Sequence, residues 1–317
     1  GNFSAIRRID KGFDLAIDIK ELITPNGLWS ESIFTFSKIY DDQHDGYHYL
    51  ASASYLNLDD INSFLNILSD ASDMFSQSND FDITGILRNS VIKYNPTLES
   101  DERIYIDTEF SQLGGQYKNH PFKLDGLYGH LQGTQKEGSI DINSSSARLE
   151  SEKFLTDSLT FYELNAELNW QHKNNNLVLS TELLETHTQD FDLRIKGNLE
   201  FDEEKDLPLI NLLVELSNAE TDIVVKYLPN TTPEKVRRWF KRSLVSGKIP
   251  AAEFVFRGRL EDYPFRNNEG VFQGYAELSL ETLDYSPKWP PAEGIDAGIV
   301  VRGDTVTIDV QSGYFFD

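Results

Sequence analysis

The chain has 317 residues, no cysteine, and 52 acidic against 29 basic residues, which gives a formal net charge of −23. So acidic a surface repels phosphate backbones and argues against nucleic acid as a partner. The lack of cysteine excludes disulfides and thiolate metal sites, and no apolar run reaches the ~18 residues that a membrane-spanning helix needs.

Most of the sequence alternates apolar and polar residues with period two, which is typical of half-buried β-strands. The clearest runs are at Phe13–Ile19, Arg103–Phe110, Leu164–Trp170 and Thr305–Val310. Hairpins are predicted where polar, turn-forming residues separate two such runs, at Gln132–Gly138, Gln171–Asn176 and Arg302–Asp304. The pattern predicts an all-β, mainly antiparallel fold.

Two stretches depart from this period and predict short helices. In Asp59–Leu68 the apolar residues recur at helical spacing, and Asn57 or the first residue of the stretch can cap the N-terminus. The second stretch ends shortly before Gly247, which stands where a helix C-terminus is expected.

The second predicted helix, Thr232–Val245, is basic and amphipathic. Thr232 can be its N-cap with Pro233 at the first helical position, or Thr231 and Glu234 can form a capping box. Such a helix can dock on anionic lipid, or it can pack its apolar face on a sheet and leave its charged face in solvent. Five basic residues stand out on so acidic a chain: Lys235, Arg237, Arg238, Lys241 and Arg242.

A degenerate repeat runs through the predicted hairpins, with a small residue between two large aliphatic residues at alternate positions. Its copies are Leu127, Gly129 and Leu131, then Leu164, Ala166 and Leu168, then Ile295, Ala297 and Ile299. Each copy is followed by a turn and a returning strand, with Ile140 and Ile142, Leu177 and Leu179, or Val306 and Ile308. Repeated hairpins favour an extended antiparallel sheet, whose apolar face must be covered or must meet a ligand.

Motifs of catalysis are missing from the sequence, which has no Walker loop, GxGxxG, GxSxG, HExxH or spaced calcium loop. His44 and His48 have metal-like spacing, but they lie where a turn is expected to lead into a strand. The paired carboxylates Asp59–Asp60 and Glu203–Glu204 are adjacent residues, whose side chains diverge. We therefore expect no catalytic residue, no metal site, no cofactor and no enzyme activity.

The stretch Tyr227–Pro291 holds several motifs in a fixed order. YLP precedes the basic helix, which carries Trp239, and F-x-F-R-G-x-L follows at Phe254–Leu260. DYPF at Asp262–Phe265 and LDYSPKWP at Leu283–Pro290 complete the set. In this order and spacing the motifs resemble the YhdP branch of the AsmA-like proteins of Gram-negative envelopes.

That resemblance implies an elongated, curved, taco-like β-groove of repeated hairpins that helps to move phospholipid between inner and outer membranes. It implies a periplasmic segment of a longer protein anchored in the inner membrane, as the start at Gly1 rather than Met also suggests. The implied partners are phospholipid acyl chains and neighbouring segments of the same chain. We expect one groove segment over residues 1–317, with sub-repeats 1–80, 81–226 and 227–317.

The candidate groove-lining residues are the apolar members of the repeat, whose competing role is ordinary sandwich core. They are Leu127, Leu131, Ile140, Ile142, Leu164, Leu168, Leu177, Leu179, Ile299, Val306 and Ile308. Two other functions stay open at this point. A structural envelope spacer or interaction module would have a sealed core, whereas a carbohydrate-active enzyme on a β scaffold would bring two carboxylates and an aromatic platform into one cleft.

Overall fold

The computed structural model of the chain describes residues 1–7, 12–24, 26–42, 45–61, 81–117, 121–151, 155–173, 176–202, 205, 207–228, 230, 232–263, 265–303 and 305–315. They divide into two compact units. Unit 1 comprises residues 1–144 and 169–172, and unit 2 comprises residues 145–168 and 173–317.

Unit 1 consists of antiparallel strands that pair in chain order. Its strands are β1 (Asn2–Arg7), β2 (Phe13–Ile19), β3 (Leu22–Thr24), β4 (Gly27–Trp29), β5 (Ser32–Asp41), β6 (Gly46–Asn57), β7 (Phe81–Tyr94), β8 (Ile104–Tyr117) and β9 (Lys123–Thr134). The short β3–β4 hairpin forms a separate two-stranded sheet. It covers one part of unit 1, because the Trp29 ring packs edge-on against Tyr55 with 5.5 Å between the ring centroids.

Strands β10 (Glu137–Glu150) and β11 (Leu159–Lys173) contribute residues to both units. The other strands of unit 2 pair in chain order, again antiparallel. They are β12 (Asn176–His187), β13 (Asp192–Phe201), β14 (Leu209–Glu220), β15 (Leu244–Arg259), β16 (Val271–Leu283), β17 (Ala292–Arg302) and β18 (Thr305–Phe315).

The strand order confirms the predicted all-β, antiparallel fold. Within the described residues hydrogen-bonded neighbours follow the chain from β1 to β18, leaving out only β3 and β4, so the strand order begins at β1 and ends at β18. Such an open sheet fits the predicted β-groove. The predicted hairpin at Arg302–Asp304 is confirmed, since Arg302 pairs with Thr305. The boundaries of the three sub-repeats stay a prediction.

Bulges interrupt the long strands of unit 1. The register of β7 against β8 shifts between Arg88 and Val91, where Asn89 has a φ of +50°. The register of β8 against β9 shifts after Phe110, where Gln112 has a φ of +51°. Each bulge adds a residue to one strand and increases its local twist, so the sheet bends at these positions.

The helices are short and accompany the strands. Within the described residues they are α1 (Val224–Tyr227), α2 (Glu234–Ser243), two 3-10 turns at Thr221–Ile223 and Leu260–Asp262, and a helical start at residues 58–61. In that last segment Asn57 is the cap, because its Oδ1 accepts a hydrogen bond from the Asp59 amide at 2.9 Å. Residues 62–68 of the first predicted helix lie outside the described part of the chain.

The boundaries predicted for α2 need two corrections. Pro233 is the N-cap rather than the first helical residue, because its ψ of 135° is extended, and no side chain caps the helix. The helix ends at Ser243, since Leu244 already pairs with Leu283 in the sheet. Gly247 therefore lies within β15, at a φ of +151°, and does not end the helix. No helix in the described residues is long and apolar enough to cross a membrane.

Candidate functional site

A continuous apolar face runs across unit 2, and the strand register defines it. Residues that pair directly across antiparallel strands point to the same side of the sheet. In one row Leu193 pairs with Leu216, which pairs with Ala252, and in another Ile195 pairs with Val214, which pairs with Phe254. The unit 2 apolar face comprises Leu177, Leu179, Leu193, Ile195, Leu199, Ile210, Leu212, Val214, Leu216, Phe254, Phe256, Phe272, Ile299, Val301, Val306 and Ile308.

The reverse side of the same strands is polar. One row there runs from Arg194 to Glu215 and then to Glu253 and Tyr275. Arg194 forms an ion pair with Glu185 at 2.7 Å. These groups line an acidic pocket of about 580 Å³ that also contains His187. Within the described residues no three His, Asp or Glu side chains are placed to hold a metal ion.

The degree of burial changes along the unit 2 apolar face. At one end Leu278, Leu280 and Ile295 form a closed cluster, in which Leu280 is only 3% exposed. The middle of the face is half-buried throughout. On the last strand Ile308 is 52% exposed although it lies directly opposite Ile299. In a sandwich core such residues would be as buried as Leu280, so this face is partly open along its middle and exposed on its last strand.

Unit 1 has an apolar face of the same kind, which is rich in aromatic rings. Phe13, Phe36, Tyr49 and Tyr94 lie side by side on four consecutive paired strands, with 5.9, 6.1 and 5.9 Å between successive ring centroids. Aromatic rows of this kind offer wide, flat apolar surface with favourable ring–ring packing.

The structure places the predicted lining residues in three environments. Leu127, Ile142 and Leu164 are buried, whereas Val306 and Ile308 are exposed. The other six are half-buried: Leu131, Ile140, Leu168, Leu177, Leu179 and Ile299. The register brings the last three onto the unit 2 apolar face together with Val306 and Ile308. A lipid-lining role for these residues stays a prediction.

One of the small residues in the repeat has a clear packing role. A Cβ on Gly129 would lie 1.9 Å from the Asp141 carbonyl oxygen and 2.7 Å from Cζ of Phe110. Phe110 is buried over this position. Gly129 therefore permits a close approach of backbone and ring within unit 1. Ala166 and Ala297 are likewise buried in unit 2.

Sequence reasoning missed the central part of the unit 2 apolar face, which strands β13 to β15 supply. Leu212, Val214 and Leu216 have no small residue between them and so fall outside the repeat, whereas Ile195, Gly197 and Leu199 fit its pattern and were not recognised as a copy. The sequence does mark these strands by alternation with period two, because residues 254 and 256 and residues 212, 214 and 216 are all apolar.

Comparison with known proteins agrees with the resemblance. The family model described as YhdP protein matches residues 1–317. Among curated proteins, the chain is similar to the Intermembrane phospholipid transporter YhdP of Escherichia coli (strain K12), with 20% identity over 170 residues. The match covers 53% of this chain and 13% of that protein. No solved structure matches the chain.

Proposed function

The chain belongs to the YhdP family, and from that premise we propose that its apolar sheet faces shelter the acyl chains of phospholipids. In this proposal the chain is a non-catalytic, periplasmic part of an AsmA-like protein that is anchored in the inner membrane. Neighbouring segments of the same protein continue the path, so that phospholipid moves between the inner and outer membranes. The similar E. coli protein is named an intermembrane phospholipid transporter, which supports the proposal.

The open, half-buried unit 2 apolar face is the observation that carries this function. An acyl chain laid against it removes apolar surface from water, which contributes about 0.8 kcal/mol for each buried CH₂ group. These contacts are non-directional, so a chain can slide from one row of side chains to the next without breaking a specific bond. The rows that pair Leu179 with Leu199 and Val214 with Phe254 offer such a surface strand after strand.

In this proposal one face of the sheet contacts lipid and the reverse face contacts water. Charged residues such as Glu215 and Glu253 occupy the reverse side and remain solvated. On the unit 2 apolar face, the paired positions of neighbouring strands hold apolar or small residues. If charged side chains stood there instead, they would hold a lipid headgroup in place. A path with few fixed charges therefore suits passage of lipid better than tight, specific capture.

Lipid carried by the purified protein tests this function. Leu179→Asp places a charge on the unit 2 apolar face, opposite Leu199, and Ser180→Asp places the same charge one residue away, opposite Asn198 on the polar face. Native mass spectrometry and lipid extraction should find phospholipid on the unaltered protein. We expect a several-fold lower lipid-to-protein ratio for Leu179→Asp and an unchanged ratio for Ser180→Asp.

Two outcomes would count against acyl-chain sheltering. Lipid-free protein with a closed apolar face would favour the structural spacer. Equal lipid content in both variants would show that lipid binds elsewhere on the chain. Circular dichroism of both variants establishes that the sheet is intact, so a loss of lipid cannot be confused with unfolding.

A further inference from the structure

Helix α2 concentrates positive charge on a strongly acidic chain. Its ten residues hold five of the 29 basic residues of the protein and a single acidic one, Glu234. Within the described residues Lys235 and Lys241 are exposed and form no ion pair, and Arg238 reaches only Glu234, at 3.6 Å in full solvent. An exposed pair of this kind contributes little, so the charge of this helix surface is available to a partner.

The apolar side of α2 is only partly used by the fold. Ser243 is fully buried and Phe240 half-buried, so the C-terminal part of the helix packs on unit 2. Val236, one turn earlier, is 41% exposed, and Trp239 is exposed as well. The packing alternative considered from the sequence therefore accounts for the C-terminal part of the helix only.

A second segment extends this surface. The backbone carbonyl of Tyr285 accepts hydrogen bonds from Nε1 of Trp239 at 3.4 Å and from a guanidinium nitrogen of Arg242 at 3.3 Å. These bonds hold the loop of residues 285–291 beside the helix. That loop presents Lys288 and Trp289 to solvent, and the Trp289 ring is 65% exposed. The result is a surface of basic side chains mixed with exposed tryptophan.

We propose that α2 and the loop of residues 285–291 form a docking surface for an anionic phospholipid bilayer. Charge complementarity selects this occupant, because the surface is basic while the remainder of the chain is strongly acidic. Lys235, Arg238 and Lys241 follow one another at helical spacings of three and are all exposed, so they lie on one side of the helix together. Tryptophan prefers the headgroup region, where its ring is apolar and its N–H finds a polar partner.

The acidic remainder of the chain sets the orientation of this contact. An anionic bilayer repels the carboxylate-rich polar face of the sheet and attracts the basic surface of α2, and both forces act within a Debye length of about 8 Å at physiological salt. Docking through α2 would bring the closed end of the unit 2 apolar face, near Leu280, to the lipid surface. The inference stands apart from acyl-chain sheltering, since a helix can bind a bilayer without any lipid in the groove.

Vesicle flotation of the full chain tests the docking surface. The probes are vesicles of phosphatidylethanolamine with phosphatidylglycerol, and vesicles of phosphatidylcholine alone. The unaltered protein should float with the anionic vesicles and stay behind with the neutral ones. A triple variant with Lys235→Gln, Arg238→Gln and Lys241→Gln should bind about 100-fold more weakly, since each basic side chain near an anionic surface strengthens binding about fivefold.

A matched control separates this surface from general charge. The control variant removes an equal number of positive charges from exposed positions on the polar face of β13, β15 and β17. Its substitutions are Lys196→Gln, Arg257→Gln and Arg302→Gln. Binding should survive these changes. Trp239→Ala should weaken binding about tenfold, as expected when apolar ring surface no longer enters the headgroup region.

Three outcomes would overturn the docking surface: no flotation of the unaltered protein with anionic vesicles, equal loss in the helix and control variants, or no loss in the helix variant. The groove variant Leu179→Asp keeps failures of the two proposals apart. It should lose co-purified lipid yet still float with anionic vesicles, whereas the helix variant should keep its lipid and lose flotation.

Discussion

Two isoleucines on neighbouring strands offer a direct measure of how open the unit 2 apolar face is. Ile295 on β17 is 4% exposed and belongs to the closed cluster, whereas Ile308 on β18 is 52% exposed. Replacing either by alanine removes three carbons, or about 2.4 kcal/mol at about 0.8 kcal/mol for each buried CH₂ group. For Ile295→Ala the enclosed cavity adds to this, and we expect a loss of about 3 to 4 kcal/mol in the free energy of unfolding.

Ile308→Ala should cost far less. About half of the side chain is already in water and no closed cavity forms, so we expect a loss of about 1 kcal/mol. The two variants are compared by urea unfolding of lipid-stripped protein, monitored by far-UV circular dichroism. The comparison requires that the slope of unfolding free energy against urea concentration is the same for both. Costs within about 0.5 kcal/mol of each other would mean that the face is sealed in solution, and the reasoning behind an open trough would fail. Added phospholipid should raise the cost of Ile308→Ala and leave that of Ile295→Ala unchanged.

Two further predictions concern local chemistry. Nδ1 of His187 lies 2.6 Å from a carboxylate oxygen of Asp192, and this hydrogen bond raises the pKa of the imidazole above its ordinary value of 6.5. The hydrogen bond between charged His187 and Asp192 stabilises the folded protein below about pH 6.5, and this contribution is lost as the pH rises through the folded-state pKa of His187. In the variant Asp192→Asn, NMR titration should show the pKa of His187 returning towards its ordinary value. Gly129→Ala should unfold unit 1 or cost more than about 3 kcal/mol in thermal or urea unfolding, because its Cβ would overlap a neighbouring backbone oxygen. Gly298→Ala should be tolerated, since its Cβ meets only the movable ring of Tyr275 at 3.2 Å, and near-equal costs for the two glycines would contradict the packing argument.

The sequence predicts the strands well because alternation with period two is a local property. The runs at Phe13–Ile19 and Thr305–Val310 are strands as expected, and the cap at Asn57 is where its side chain predicts it. Continuity of the apolar face is a different matter, because it depends on which residue of one strand pairs with which residue of the next. No local pattern reports that Leu216 lies between Leu193 and Ala252.

Bulges and helix ends escape prediction for a related reason. A bulge at Asn89 shifts the register of β7 against β8 and changes which side chains share a face, although nothing in the local alternation marks the shift. The end of α2 is decided by pairing of Leu244 with Leu283, some 40 residues away, and this tertiary contact overrides the glycine signal at Gly247.

A sheet that leaves its apolar face half open needs a safeguard against association with other copies, since exposed apolar surface and free strand edges favour it. The net charge of −23 supplies one, because carboxylates such as Glu215 and Glu253 on the reverse face make copies repel each other. The same repulsion would oppose approach of an anionic bilayer to the carboxylate-rich reverse face, whereas the basic surface of α2 would attract it. One distribution of charge therefore suits both proposals: it would keep the apolar face free for lipid, and it would favour approach to a membrane through α2.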